Sequence, residues 1–406
     1  MIVLVLLAVI YLHQLLYWLW YWQIKEYRLD RFKAGFSWQQ VLAQFDVRHW
    51  WRPKLTTRVI LAFLISLVFF SYLAIIIAPV LIGFAMAVSS PPFILWKKIL
   101  VYKAKNKMKS FKGKVIGVTG SYGKSMTKEL IVAMLSPNHK VAKTPKNINS
   151  EIGVAQTVLK SVTGDEDYFV VEMGAYKIGE IRRICEIVRP DYGVLTGIGD
   201  QHLELFGSQA NIKKAKFELI DSLPAKENGL VADRDFSLSD VKEIIVTKDG
   251  VEFSYKKQKF HLPLLGKQLV RNVVGVIKLG EKLGIKLLDI SENLNNTTGE
   301  TFLPKKYVGK TGAVIIDNSY NSSLEGFLSA LDYLNVWHDY NKIVVTPGFI
   351  ELGKNAKSDW QTVQAAAKSV GELFLVKPGQ KLNLVPDTKT VVLIQGRVPK
   401  TIYESF

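Results

Sequence analysis

The first hundred positions carry long, nearly unbroken apolar runs, whereas from Lys114 onward short apolar runs alternate with amphipathic stretches. Residues 1–23, MIVLVLLAVIYLHQLLYWLWYWQ, are almost wholly apolar and aromatic, and a membrane-spanning helix needs roughly 20 such residues. The Trp and Tyr cluster at 17–22 reads as an interfacial aromatic belt. A cleavable signal peptide fits poorly, because no positive region precedes the run and no small-residue cleavage site follows it. The second stretch, Val59 to Trp96, is long enough for two short spans. Pro79 near its middle and Pro91-Pro92 near its end are expected helix breakers, since proline lacks a donor and clashes with the preceding turn. The pattern predicts transmembrane helices within a membrane domain over 1–113, with a span at about 1–23 and a hairpin at about 59–96.

Beyond Lys114, VIGVT (115–119), YFVVEM (168–173) and YGVLTGIG (192–199) have strand character, and 124–135 and 210–223 have helical spacing. The alternation predicts an α/β fold with a mostly parallel sheet covered by helices. A mixed β patch follows at 229–265, then a helix near 269–284. The polar run SENLNNTTGETFLPKK marks a break near 290–305. After it the alternation restarts, with strands at 312–317, 342–346, 372–376 and 391–395 and helices at 322–336 and 356–370. Two soluble domains are predicted, 114–298 and a smaller α/β domain at 299–406.

Charge adds a location and a partner class. The 406 residues include 53 Lys and Arg against 36 Asp and Glu, a net charge of +17. Such an excess points to an anionic partner, and no nucleic-acid recognition module is found. Residues 24–58 hold eight basic side chains and three acids, and 97–114 hold eight lysines and no acid. By the positive-inside rule both flanks read as cytoplasmic. The expected localisation is therefore the cell membrane, with the catalytic domains cytoplasmic and membrane lipids as partners of the lysines after Trp96. One long tilted span with loop 24–58 outside is the alternative. The single cysteine, Cys185, excludes an intrachain disulfide and a cysteine-rich zinc site; it lies in the apolar helical pattern IRRICEIV and reads as core.

The candidate chemistry begins where VIGVT runs into GSYGKS and then a helix. Over Thr119, Gly120, Ser121, Tyr122, Gly123, Lys124 and Ser125, glycines let the backbone curl so that its N–H groups face phosphate oxygens, and the helix N-terminus adds positive partial charge. Lys124 is placed for β/γ-phosphates and the Ser125 hydroxyl for Mg2+. The strict phosphate-loop pattern wants glycine at 118, where this chain has Val118, with Gly120 instead. Glu172 and His202 follow later strands, and open parallel sheets bind ligands at the carboxyl ends of their strands. Glu172 suits Mg2+, which takes oxygen ligands. Taken singly, a histidine is more often structural and a strand-end glutamate solvated. Lys216 lies among apolar neighbours in IKKAKFELI; turned inward it needs a partner, and an ordinary surface lysine is the other reading.

TGSYGKSMTKE (119–129), TPKNINSEIGV (144–154), EMGAYKIGEI (172–181), GDQHLELFGS (199–208) and AKFEL (215–219) resemble the Mur ligases in order and spacing, and DNSYNSSLEGFLSAL (317–331), GFIELG (348–353) and LIQGR (393–397) resemble their C-terminal domain. The resemblance covers roughly 114–406. It implies a P-loop-type, mostly parallel central ATPase domain and a smaller Rossmann-like C-terminal domain. It also implies ATP and two Mg2+ as cofactors: ATP phosphorylates a carboxylate and an amine attacks the acyl phosphate. By the same resemblance Lys124 neutralises phosphates, Ser125 and Glu172 bind one Mg2+, His202 stands near a second, and Lys216 matches a lysine that becomes carbamylated and supports metal. Asn147 and Asn149 match substrate-side asparagines, with Tyr320 and Asn321 also on the substrate side. Asn272 matches an adenine-contacting asparagine, and Asn318, beside Asp317, aligns with a ribose-binding aspartate.

The subgroup most resembled adds D-alanyl-D-alanine to a UDP-muramoyl-tripeptide, which implies a muropeptide precursor, UDP-linked or lipid-linked, and an amino-acid or dipeptide amine as partners. Departures are Gln268-Leu269 at the family's GxHN histidine, Lys305 and Lys306 where an arginine is usual, Ser323-Leu324 in place of Asn-Pro, and the apolar N-terminus in place of a uridine-binding domain. An amino-acid polymerising ligase like the poly-γ-glutamate synthases and a membrane-tethered, non-catalytic ATP-binding regulator are the other readings.

Overall fold

The computed structural model describes residues 2–406 apart from 30, 33–35, 37, 47–49, 69–81, 83, 85, 87, 89, 146–147, 200–202, 299–303, 320–323, 349–355, 377–381 and 383–385. It divides into two compact units, Met1–Tyr102 and Lys103–Phe406.

In the first unit, helix α1 (Ile2–Ile24) packs on helix α2 (Thr57–Val68). The expected transmembrane helices, multi-pass membrane localisation and lipid partners are not supported: among the described residues no helix is long and apolar enough to cross a membrane. Helix α3 (Ser90–Lys109) carries Lys97, Lys98, Lys103, Lys105, Lys107 and Lys109 along its length. Pro91-Pro92 does not end the helix as expected: residues 90–109 are helical through it, and Ile82, Phe84, Met86 and Val88 before it are helical as well.

The aromatic cluster expected at a lipid interface is instead internal to this unit. Trp18 is fully buried and Tyr17, Tyr21 and Trp22 nearly so. Trp22 stacks on Phe32 with centroids 4.2 Å apart, and the Trp18 indole N–H donates to Gln44 Oε1 at 2.9 Å. His13 and Gln14 are buried at mid-length of α1, and His13 Nδ1 lies 3.0 Å from the Gln44 carbonyl. Residues 69–81, the middle of the expected hairpin, lie outside the described residues.

The second unit opens on strand β1 (Lys114–Thr119) and helix α4 (Lys124–Leu135). Strand β2 (Val141–Lys143), helix α5 (Glu151–Ser161), strand β3 (Tyr168–Glu172), helix α6 (Glu180–Val188), strand β4 (Tyr192–Leu195), helix α7 (Gln209–Asp221) and strand β5 (Gly229–Val231) follow. The strands form one sheet in the order β2-β3-β1-β4-β5, parallel throughout. β1 and β3 are buried on both faces except at Lys114, as expected of central strands in a sheet covered by helices on both sides. The strand expected over 192–199 stops at Leu195: the Thr196 N–H still donates to the Thr119 carbonyl at 2.9 Å, but Gly197 then turns at φ 153° into the loop region.

A three-stranded antiparallel sheet, β6 (Val241–Val246), β7 (Val251–Tyr255) and β8 (Gln258–Leu262), comes next. Helices α8 (Val270–Lys282) and α9 (Leu287–Asn295) close this region. Leu130, Ile131 and Met134 of α4 share one core with Val273, Val276 and Ile277 of α8 and with Phe253 and Phe260. The polar break expected near 290–305 begins later than the sequence pattern suggests. Ile290 and Leu294 stand four apart on α9 and are fully buried, so that helix belongs to the core despite its polar outer face.

The last sheet has the order β12-β11-β13-β10-β9, from β9 (Lys305–Val308), β10 (Val314–Asn318), β11 (Asn341–Thr346), β12 (Glu372–Leu375) and β13 (Thr390–Gln395). It is parallel except for β9, which runs antiparallel to β10 at the edge. Helices α10 (Leu324–Tyr333) and α11 (Ala356–Val370) pack together beside it, and Phe327, Leu331 and Val363 fill the layer against Val344 and Leu393.

Candidate functional site

In the first sheet the chain leaves β1 towards β2 on one side and leaves β4 towards β5 on the other. Adjacent strands whose exits diverge leave a crevice at their carboxyl ends, the usual ligand position in open α/β sheets. Residues 120–123 occupy this place. Gly120 is at φ 151°, and a Cβ there would lie 2.2 Å from Thr196 Oγ1. Gly123 is at φ 74° as the N-cap of α4, and a Cβ there would lie 2.3 Å from Asn272 Nδ2. Both positions therefore exclude a side chain. The Ser121 N–H donates to the Gly197 carbonyl at 2.8 Å, the Ser121 hydroxyl donates to the Gly199 carbonyl at 3.1 Å, and the Thr196 hydroxyl donates to the Tyr122 carbonyl. The loop is thus held by β4 as well as by its own chain.

Lys124 folds back over this loop, its ammonium 2.7 Å from the Gly120 carbonyl and 3.2 Å from that of Ser121. One residue on, the Ser125 hydroxyl donates to Glu172 Oε2 at 2.9 Å. Glu172 is 2% exposed. Its other carboxylate oxygen accepts from Asn149 Nδ2 at 3.0 Å, and its N–H donates to Thr144 Oγ1 at 2.9 Å. Lys128, fully buried, donates to the Thr144 carbonyl at 2.9 Å and reaches Glu172 Oε2 at 3.4 Å. The structure therefore brings Ser125 and Asn149 together on Glu172, sets Lys124 over the adjoining loop, and brings Asn272 against Gly123.

Lys216 points inward from α7 and is 3% exposed. Burial holds its amine well below the ordinary lysine range, and the positive charge of Lys124 lowers it further, against Glu180 and Glu218. Lys124 is lowered too, by burial, with Glu172 opposing. The two acids nearest Lys216 are committed elsewhere. Glu218 accepts from the N–H groups of Gly179 and Arg182 at the start of α6, the latter at 3.0 Å, and Glu180 accepts from those of Tyr176 and Lys177 at 2.7 and 3.2 Å. Lys124 and Lys128, beside the glycine loop, offer positive charge of the kind a polyphosphate pocket needs.

His202, Asn147, Tyr320 and Asn321 lie outside the described residues. Asp317 and Asn318 end β10 in the other sheet. Asn318 Nδ2 donates to Gln395 Oε1 at 2.7 Å, and Asp317 Oδ1 accepts from the Ser319 N–H at 3.0 Å. Among the described residues no hydrogen bond ties either to the glycine loop. Sequence reasoning passed over Lys128, Thr144, Thr196 and Glu218. Only Lys128 left a trace, standing one helical turn after Lys124 and so on the same face of α4.

A glycine loop between strand and helix at a switch point, with a buried Ser–Glu pair beside it, defines the phosphate-loop class of nucleotide-binding α/β domains. Within that class, residues 118–244 match the family model of the Mur ligase middle domain. The chain is 33% identical over 285 residues to a UDP-N-acetylmuramoyl-tripeptide–D-alanyl-D-alanine ligase of Synechocystis sp., covering 64% of this chain and 61% of that protein. It is 31% identical over 266 residues to the Bacillus subtilis protein of the same name, covering 59% and 57%. The chain thus spans about three fifths of the length of these curated relatives. MurF from Acinetobacter baumannii superposes with a TM-score of 0.63 at 20% identity, covering 76% of this chain and 79% of that one. The MurF ligase of Thermotoga maritima, solved in complex with ADP, gives 0.61 at 24%, covering 76% and 82%. This chain is therefore similar to the Mur ligases over these stretches, and over about three quarters of its length it shares the fold of the MurF structures.

Proposed function

We propose that this protein is an ATP-dependent, ADP-forming amide ligase that adds D-alanyl-D-alanine to a UDP-linked muramoyl-tripeptide. In this reading 114–298 binds ATP and 299–406 is the C-terminal domain that accompanies it. The observation that carries the reading is the Ser125–Glu172 hydrogen bond at the mouth of the glycine loop, with Lys124 over the same loop. Loop N–H groups and Lys124 hold the β/γ-phosphates, and Asn272, against Gly123, borders the nucleotide. Asn149, hydrogen-bonded to Glu172, stands between the phosphate site and the acceptor carboxylate. The γ-phosphoryl group passes to that carboxylate oxygen with ADP leaving. The amine then attacks the acyl carbon, phosphate departs and a proton is lost from nitrogen. Such transfers depend on positioning and charge neutralisation, which Lys124 and the loop supply.

The donors also suit Mg2+. Ser125 Oγ and Glu172 Oε2 are oxygen donors 2.9 Å apart, and among the described residues no group of three His, Cys, Asp or Glu is gathered for a metal. Mg2+ characteristically takes one or two protein oxygens and completes its shell with water and phosphate oxygens, so this pair is sufficient. Bound there, the ion neutralises phosphate charge. Lys216 fits a carbamate: burial favours its neutral amine, the form that adds CO2 to give a carbamate and a released proton.

The test is ADP release by the purified full chain with ATP, Mg2+, UDP-muramoyl-tripeptide and D-alanyl-D-alanine. Release is expected only when both the tripeptide and the dipeptide are present, with amide product in equal amount. Release driven by glutamate alone would replace the reading with a polymerising ligase, and ATP binding with no turnover on any acid–amine pair would replace it with a regulator.

A further inference from the structure

Lys128 has no role in the scheme above, yet it is the charged side chain most completely enclosed beside the proposed cation ligands. Its exposure is 0%, and its ammonium is tethered to the Thr144 carbonyl at 2.9 Å. From there it lies 3.4 Å from Glu172 Oε2 and 3.4 Å from Glu129 Oε1. Glu129 in turn pairs with Lys143 of β2. The charges alternate from the edge strand into the loop: Lys143, Glu129, Lys128, Glu172, and then the Ser125 hydroxyl. Thr144 locks the arrangement twice, its carbonyl on Lys128 and its hydroxyl on the Glu172 N–H at 2.9 Å.

A buried carboxylate needs a counter-charge before any metal arrives. Glu172 Oε2, the oxygen that accepts from Ser125, is also the oxygen that Lys128 approaches. A divalent cation held by Ser125 and Glu172 must therefore share that oxygen with an ammonium fixed by Thr144. A bare cation meets a like charge there, whereas a cation carried on a polyphosphate brings negative charge that offsets both.

We propose that Lys128 is a positioning residue acting through Glu172: it holds the carboxylate aimed at Ser125, and it makes capture of the divalent cation conditional on bound nucleotide. This rests on Ser125 and Glu172 being the cation's ligands. Binding energy is coupled reciprocally, so the cation strengthens nucleotide binding by the same factor as nucleotide strengthens cation binding.

The experiment measures Mn2+ affinity of the full chain by electron paramagnetic resonance, with and without ADP, alongside thermal melts. Lys128→Gln keeps a donor for the Thr144 carbonyl and removes the charge; Lys128→Met is the second variant and Lys128→Arg keeps the charge. Both neutral variants should bind bare Mn2+ about tenfold more tightly and lose most of the ADP-dependent gain, a factor typically about 5–150 in coupled sites. Lys128→Arg should stay near wild type. Bare Mn2+ affinity and ADP coupling unchanged in whichever neutral variant melts cooperatively would overturn the proposal, as would failure of both neutral variants to fold while Lys128→Arg folds, which would make Lys128 purely structural. Glu172→Gln separates the underlying assumption: if it binds Mn2+ with ADP as wild type does, the ligand assignment itself fails, whatever Lys128 does.

Discussion

The two large sheets of the second unit share an architecture and differ in what they bury at their polar ends. In the first, Lys128, Glu172, Lys216 and Glu218 are all buried in or beside the crevice after β1. In the second, the buried polar residues among those described are neutral: Asn318, Ser319, Thr346, Thr390 and Gln395. At the end of β10 an amide meets an amide, Asn318 on Gln395, where at the end of β3 a carboxylate meets a hydroxyl and an ammonium. A parallel sheet covered by helices is thus not by itself enough for a phosphate site. The loop after β1 adds glycines with closed approaches to Thr196 and Asn272, and buried charges surround it. Buried charge of this kind is weak evidence for stability and stronger evidence for a site.

The sharpest way to break that contrast is Lys124→Ala. ATP turnover should fall about 100- to 1,000-fold, the usual cost of one preorganised charge-stabilising group, with folding intact by circular dichroism. A variant within threefold of wild type would take the loop out of the chemistry.

Next in size is the pH dependence carried by Lys216. Its folded proton affinity lies below the ordinary lysine value. Between those two values the unfolded chain holds a proton that the folded chain lacks, so stability rises with pH at up to about 1.4 kcal/mol per pH unit for one group. The penalty is complete below the folded value and gone above the ordinary one. Denaturant melts over that window should show wild type gaining on Lys216→Met as pH rises; a flat difference would show that burial does not perturb the amine.

In the neutral sheet, Asn318→Ala should act on stability and leave nucleotide alone. It removes the hydrogen bond that Asn318 donates to the buried Gln395 Oε1, at a cost of about 1–3 kcal/mol, with the KM for ATP unchanged. A large KM rise would instead place Asp317 and Asn318 at the ribose and erase the contrast. The smallest effect concerns Cys185, whose thiol burial pushes up to about 12. It should not react with a thiol-specific disulfide reagent at pH 8 in native protein and should react fully in denaturant.

Much of this fold was legible along the chain. The helix read at 124–135 is α4 residue for residue, because its amphipathic spacing and the glycine before it agree, and the helix read up to 370 ends at Val370 as α11 does, just before Gly371. Long-range pairing was less legible. The run over 192–199 looked like one strand, yet Gly197 turns it away after Leu195, and the helix over Leu287–Asn295 was hidden by its polar outer face. The N-terminal aromatics were misread for a related reason. Apolar composition says that side chains avoid water but not what covers them, and here Trp18 and Trp22 are covered by Gln44 and Phe32 of the same unit.

By itself, then, the sequence determined the glycine loop, the alternation of strand and helix, and the order of the motifs that resemble the Mur ligases, since these depend on local backbone preference and period. Only the tertiary structure decided that Ser125, Asn149 and Lys128 meet on one carboxylate, that Asn272 closes on Gly123, and that Lys216 faces inward. Those contacts join residues 23 to 149 positions apart, and nothing in local spacing encodes which buried charge will find which partner across a sheet.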